Sequence, residues 1–261
     1  KEGEVLNDLR FGEKQVSDLK KLLGSYGYAG QCQQRPSPIG GGIIKKKWFK
    51  FWTSPIKPKF DYILQSWDTA ISDEPTAAYS ACSTWGVWGE KSEDELFRMM
   101  LLSVWRDRIG YPELRSRAQR LAKDYKDIGE HKNPMPAQRT VDICLIEAKA
   151  TGDPLIRDLR LGGVPAIGYT PKGDKNARVQ RAAPLIECGL IYLQAEEKNP
   201  ERLTVTAEEF LETVITFPNG ESKDLVDSMT QAILYLRDFD ALVHTSDVKE
   251  DETITKLRKL Y

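Results

Sequence analysis

Before Phe60 the apolar positions follow no steady period, and from Phe60 onward they fall into a regular series of segments. The run Tyr62-Ile63-Leu64-Gln65-Ser66-Trp67-Asp68 predicts a strand over 61–68. Ala77–Trp88 and Glu95–Arg106 predict two more, with Gly89, Glu90 and the polar Lys91–Asp94 as the loop between them. Three short-linked strands in succession predict an antiparallel meander. Tyr111–Ile128 has a helical period: Pro112 suits a first turn, and Leu114, Ala118, Leu121 and Tyr125 share one face. The segment 141–147 is almost unbroken apolar sequence, as in a parallel strand covered on both faces. A helix at 153–161, a strand near Val164–Tyr169, a helix at 174–188 and a short strand at Leu190–Leu193 follow, then helices at 206–215 and 221–238. A meander followed by strand–helix alternation predicts an α/β fold: a mixed sheet of antiparallel and parallel strands with helices on both faces.

The flanks differ. A helix around Lys14–Leu23 is expected to end near Gly24. Pro36, Pro38 and Gly40 to Gly42 then break regular structure, ahead of Lys45-Lys46-Lys47 and the aromatic run Trp48-Phe49-Lys50-Phe51-Trp52. This stretch reads as a linker docked by its aromatics, in preference to a DNA-binding strip. Residues 241–261 form a charged tail. The start, Lys1-Glu2-Gly3-Glu4, has neither an initiator methionine nor a signal peptide and reads as the interior of a longer protein.

Composition narrows the class. The chain has 261 residues, 40% hydrophobic and 30% charged, as expected of a globular protein with room for a full core. With 38 basic and 39 acidic side chains the net charge is -1, so any anionic partner must be recognised by local clustering. The four cysteines, Cys32, Cys82, Cys144 and Cys188, form no C-x-x-C pair, and His131 and His244 lack zinc-ligand spacing. Cys144 is expected as a buried thiol in a reducing compartment. No apolar run has the length of a membrane span.

The candidate chemistry lies in carboxylates at element ends. Asp68 closes the first strand of the meander, and Glu147 closes the apolar parallel strand. In open α/β sheets ligands bind at the carboxyl ends of strands, so neighbouring strands would bring these two together. On the late helix, Asp224, Asp227, Ser228 and Gln231 fall on one face, and Leu225, Val226, Met229, Ile233 and Leu236 on the other. Carboxylate oxygens suit Mg²⁺ or Mn²⁺, and a pair of such ions supports in-line phosphoryl displacement. Asp68 is placed as the bridge between ions, with Glu147, Asp224 and Asp227 as further ligands; Asp224, nearest the helix entry, is preferred to Asp227.

Lys175, Arg178 and Arg181 share a broad face of the helix after Gly173, either as DNA-phosphate ligands or as a solvated surface, and Lys149 could also meet a phosphate. Gly168-Tyr169-Thr170-Pro171-Lys172-Gly173-Asp174-Lys175 has the outline of a P-loop. It lacks the terminal Gly-Lys-Ser/Thr and places Asp174 where a phosphate would sit, so ATP binding is rejected.

Taken together, Leu64-Gln65-Ser66-Trp67-Asp68-Thr69-Ala70, Leu145-Ile146-Glu147-Ala148-Lys149-Ala150-Thr151-Gly152 and Lys223-Asp224-Leu225-Val226-Asp227-Ser228-Met229 resemble the three acidic motifs of the nuclease domain of tailed-phage large terminases. Gly173–Arg178 resembles that family's basic segment, and Tyr28–Pro36 its junction between ATPase and nuclease. The resemblance implies an RNase H-like fold and an endonuclease that cuts concatemeric viral DNA with two Mg²⁺ or Mn²⁺ ions. It implies Asp68, Glu147 and Asp224 as metal ligands, with Asp227 as a fourth. Many members read Asp-Asp where this chain has Lys223-Asp224, which leaves open which aspartate of that motif binds metal. Implied too are residues 1–60 as the end of an ATPase domain and linker, 61–240 as the nuclease, and 241–261 as a tail. The implied partners are double-stranded DNA, an ATPase domain in the same polypeptide, a small terminase subunit and a portal, at the procapsid in the host cytoplasm. A Holliday-junction resolvase or transposase of the same fold, and a packaging-motor docking module with a weak site, are the alternatives.

Overall fold

The computed structural model describes residues 12–32, 42–70, 79–89, 97–123, 125–126, 138–139, 141–148, 152–220 and 223–240. In chain order the elements are α1 (Glu13–Gln31), a single 3-10 turn (Lys46–Trp48), β1 (Lys50–Trp52), β2 (Tyr62–Asp68), β3 (Ser80–Gly89) and β4 (Phe97–Asp107). Then come α2 (Tyr111–Lys123), β5 (Tyr125–Lys126), β6 (Gln138–Arg139), β7 (Ile143–Glu147), α3 (Gly152–Leu161) and β8 (Ala166–Tyr169). The chain continues through α4 (Lys175–Glu187), β9 (Ile191–Glu196), β10 (Asn199–Leu203), α5 (Val205–Ile215) and α6 (Asp224–Asp240).

The main sheet runs β1-β9-β4-β3-β2-β7-β8, with β10 paired to β9. β2, β3 and β4 form the antiparallel meander, and β7 lies parallel to β2 on its other side. β8 is parallel to β7, and β9 is parallel to both β4 and β1. The expected mixed sheet of antiparallel and parallel strands with helices on both faces is therefore what the chain forms. Apart from β3 and β10, the strands of this sheet point their carboxyl ends to one edge.

Strand alternation sorts the core into two layers. Leu64, Trp85 and Leu145 face one side and pack with residues of α4, α5 and α6. Ile63, Trp67 and Ile146 face the other and pack with α2 and α3. β7 is buried along its whole length, as its unbroken apolar sequence requires. Cys82 and Cys144 are buried free thiols, and burial pushes the Cys144 thiol up to about 12.

Several expected boundaries are corrected. The helix expected over 111–128 ends at Lys123, because the amide of Val141 donates to the carbonyl of Ala122 and the chain turns into the β5–β6 pair. α1 runs past Gly24 to Gln31, where packing against α4 outweighs the weak helix propensity of its glycines. The strand expected over 190–193 extends to Glu196, keeping every second residue buried, and β10 pairs beside it. The segment expected as a linker supplies β1, and Trp48 and Phe49 are buried in the core. Trp52, Trp88 and Tyr192 form an aromatic cluster there, with ring centroids 5.2 to 6.4 Å apart. The expected charged tail at 241–261, His131 and His244, and part of the junction-like segment at 28–36 lie outside the described residues.

Candidate metal and nuclease site

The register of β2 against β7 pairs Trp67 with Ile146, so the next step along brings Asp68 alongside Glu147 at the carboxyl edge of the sheet. Each carboxylate ends a strand whose interior residues are buried, which ties its backbone to the core. The first residue of α3 packs directly on the Glu147 backbone. A Cβ on Gly152 would be driven into the Glu147 carbonyl oxygen, so only glycine permits this approach.

α6 lies across β2 and β3 and brings its first turn to the same edge. Polar side chains hold it there. The Gln231 amide donates to the carbonyls of Trp67 (3.3 Å) and Leu145 (3.4 Å), bridging the two strands that carry Asp68 and Glu147. Ser228 donates to the Ser83 hydroxyl at 2.7 Å. The polar face foreseen on this helix is thus turned onto the sheet, and Asp227 is carried inward with it to 6% exposure. Asp224, at the helix start, is less buried.

α4 completes the constellation. Gly173, at φ +84°, turns the chain, and the Asp174 carboxylate accepts a hydrogen bond from the Ala177 amide at 2.8 Å as the N-cap. The P-loop-like outline is therefore a turn and a helix cap. α4 packs beside α6, and its first turns send two cations into the acidic cluster. Arg178, 8% exposed, reaches Asp227 Oδ1 at 2.9 Å and Glu147 Oε1 at 3.4 Å. Lys175 Nζ forms an ion pair with Asp227 Oδ2. Arg181 lies farther along, 35% exposed, donating to the Lys172 carbonyl and lying 4.0 Å from Asp238.

Asp68 records the resulting field. Its carboxyl is pushed up to about 7, first by burial, then by the charges of Asp227 and Glu147 and, more weakly, Asp224, while Lys175 opposes the shift. The other three carboxylates singled out in the sequence thus all act on Asp68 at one edge. Among the described residues no three acidic, histidine or cysteine side chains stand at metal-holding spacing. Their chemistry nonetheless fits a hard divalent cation: carboxylate oxygens brought to one edge, around an Asp68 that resists ionisation because it is buried beside like charges.

Lys149 lies outside the described residues. The sequence reading missed that Arg178 joins Glu147 to Asp227, that Gln231 ties α6 to two strands, and that Arg106 and Arg108 flank the Tyr79 ring at this strand-end edge, 5.7 and 4.0 Å from its centroid. The one local hint was the i, i+3 spacing of Lys175 and Arg178 directly after a helix cap.

No family model and no curated protein matches the chain. Solved structures do. The large terminase of a thermophilic bacteriophage is similar with a TM-score of 0.56 at 9% identity, over 88% of this chain and 53% of that one. The chain thus spans about half the length of that protein, and the likeness is one of fold. The large terminase nuclease of the thermophilic phage G20c with bound magnesium is similar with a TM-score of 0.46 at 13% identity, over 76% of this chain and 98% of that one. The same nuclease with bound cobalt gives a TM-score of 0.47 at 13% identity, over 76% and 98% of the two chains.

Proposed function

We propose that this chain is the metal-dependent DNA endonuclease domain of a viral DNA-packaging terminase, cutting concatemeric double-stranded DNA. The observation that carries this reading is the meeting of Asp68, Glu147, Asp224 and Asp227 at the carboxyl edge of the sheet, with the Asp68 carboxyl raised to about 7 by burial and by the other three. The likeness of fold to a phage large terminase supports the setting.

In this reading the four carboxylates hold Mg²⁺ or Mn²⁺, as two ions. Bound divalent cations supply Lewis-acid polarisation and neutralise charge developing on a phosphoryl group. The protein's own contribution is placement. β2 and β7 fix Asp68 and Glu147 side by side, Gln231 sets the position of α6 against them, and Arg178 keeps Glu147 and Asp227 at a defined separation. Arg106 and Arg108, with Arg181 and Lys149, are assigned to DNA phosphates, which are bound by charge irrespective of sequence. The nuclease unit is the sheet with its helices, from the segment that carries β1 through α6, and the residues before it are the approach from an ATPase domain; a small terminase subunit and a portal are the partners of the whole polypeptide, at the procapsid.

A second reading has one observation in its favour. Lys175 and Arg178 already neutralise Asp227 and Glu147, as suits a packaging-motor docking module with a weak site. Plasmid cleavage with Mg²⁺ or Mn²⁺ separates the two. The wild-type chain is expected to nick and linearise DNA, and Asp68→Ala to lose at least about a hundredfold in rate. A properly folded wild type inert with every divalent cation would favour the docking module.

A further inference from the structure

Asp227 has a cation on each of its oxygens, and the two cations differ in kind. Arg178 meets Oδ1 from a side chain that is 9% exposed, and the same guanidinium reaches Glu147 on another element. Its planar fork is pre-organised for two acceptors and weakly hydrated, so removal to solvent would strand two buried carboxylates. Lys175 meets Oδ2 from a side chain that is 31% exposed, and Asp227 is the one carboxylate for which an ion pair with it is described. Its ammonium is a compact, strongly hydrated charge on a flexible stem beside open solvent.

We infer that the two divide the neutralisation of the acidic cluster: Arg178 is a fixed internal counter-ion, and Lys175 an exchangeable one that must leave Asp227 Oδ2 for a divalent cation to take its place. Both are positioning residues. This rests on the metal-dependent nuclease reading and adds to it a competition built into the site: the protein closes its own metal position with an amine. Released from Asp227, Lys175 would turn to the solvent that its side chain already partly meets.

The test is Mn²⁺ titration of the whole chain by calorimetry, with thermal melting of each sample with and without Mn²⁺. Lys175→Gln is expected to bind Mn²⁺ about three- to tenfold more tightly than wild type, and to gain a larger rise in melting temperature from the ion. Lys175→Arg keeps the charge in a less exchangeable form and is expected to bind Mn²⁺ more weakly than wild type. Lys172→Gln removes an equal charge three residues away on an exposed side chain and is expected to stay within about twofold of wild type. Equal Mn²⁺ affinity of wild type and Lys175→Gln, or an equal gain from Lys172→Gln, overturns the exchange while leaving a metal-binding nuclease intact. Absence of Mn²⁺ binding to both wild type and Lys175→Gln overturns the exchange and the nuclease reading together.

Discussion

Asp224 and Asp227 stand one helical turn apart, and their surroundings separate them. Asp227 is buried between two cations and is the charge that acts most strongly on Asp68, while Asp224 is more exposed and the weakest of the three carboxylates to do so. The sequence could place both on the polar face of a helix but could not choose, because the choice is made by Arg178 on another helix, 49 residues away. The preference for Asp224 rested on its place at the helix entry; in the packed helix it is Asp227 whose charge acts more strongly on Asp68. Two consequences belong to single residues. The folded-state value of Asp68, about 7, lies above its unfolded value, so the folded protein holds the extra proton between about pH 4 and 7. Through that window the unfolded chain gives up this proton freely while the folded one keeps it, so metal-free stability falls up to about pH 7 and then levels. Asp68→Asn escapes this loss and is expected to be more stable than wild type by roughly 1–3 kcal/mol at pH 8, with the gap closing at pH 4. Urea midpoints at the two pH values decide it, and an undiminished gap at pH 4 would count against the assignment. Arg178→Met leaves Glu147 and Asp227 without their buried cation and is expected to lose about 3–5 kcal/mol, measured in the same way at pH 8; a loss below about 1 kcal/mol would mean that Arg178 is not the internal counter-ion.

Among the elements, those with strong periodicity were legible and those defined by a neighbour were not. The meander, β7 and α6 follow from apolar runs and from the helical spacing of Leu225, Met229 and Ile233. β1 and β10 were missed because a three-residue strand and a polar edge strand carry too little pattern; their partner β9 makes them strands. The end of α2 was misplaced because Tyr125 continues the helical period, whereas the competing hydrogen bond to the Ala122 carbonyl comes from Val141, beyond reach of any local window. The join between β7 and α3 carries its own prediction. Gly152 packs against the backbone of Glu147, so Gly152→Ala must shift α3 or push the Glu147 carbonyl aside. Overpacking of this kind is expected to cost about 1–3 kcal/mol in a urea melt and to weaken divalent-ion binding by displacing Glu147. An alanine variant with wild-type stability and wild-type Mn²⁺ affinity would show that the contact between Gly152 and Glu147 has slack.

On the scale of the whole molecule, the fold is built to hold one edge of one sheet. Six strands point their carboxyl ends there, and α3, α4 and α6 start there, which presents three positive helix ends to a cluster of carboxylates. The sequence boundary at residue 60 does not coincide with the boundary of this sheet. β1 extends it beyond β9, Trp48 and Phe49 lie in the core beneath α5 and α6, and a Cβ on Gly42 would strike the carbonyl of Ile215. α1, by contrast, touches the body chiefly through α4. A chain beginning at residue 42 is therefore expected to melt cooperatively and close to the full chain. One beginning at residue 61 loses three buried aromatic side chains, Trp48, Phe49 and Phe60, at about 3–5 kcal/mol for each large aromatic removed from a core. It also uncovers the backbone of β9 as a new edge next to Trp88 and Tyr192, an invitation to intermolecular pairing. The shorter chain is expected to aggregate or to melt at much lower denaturant concentration, and light scattering beside a urea titration would tell. Equal midpoints for the two chains would mean that residues 42–60 are a linker after all, resting on a nuclease unit that is complete without them.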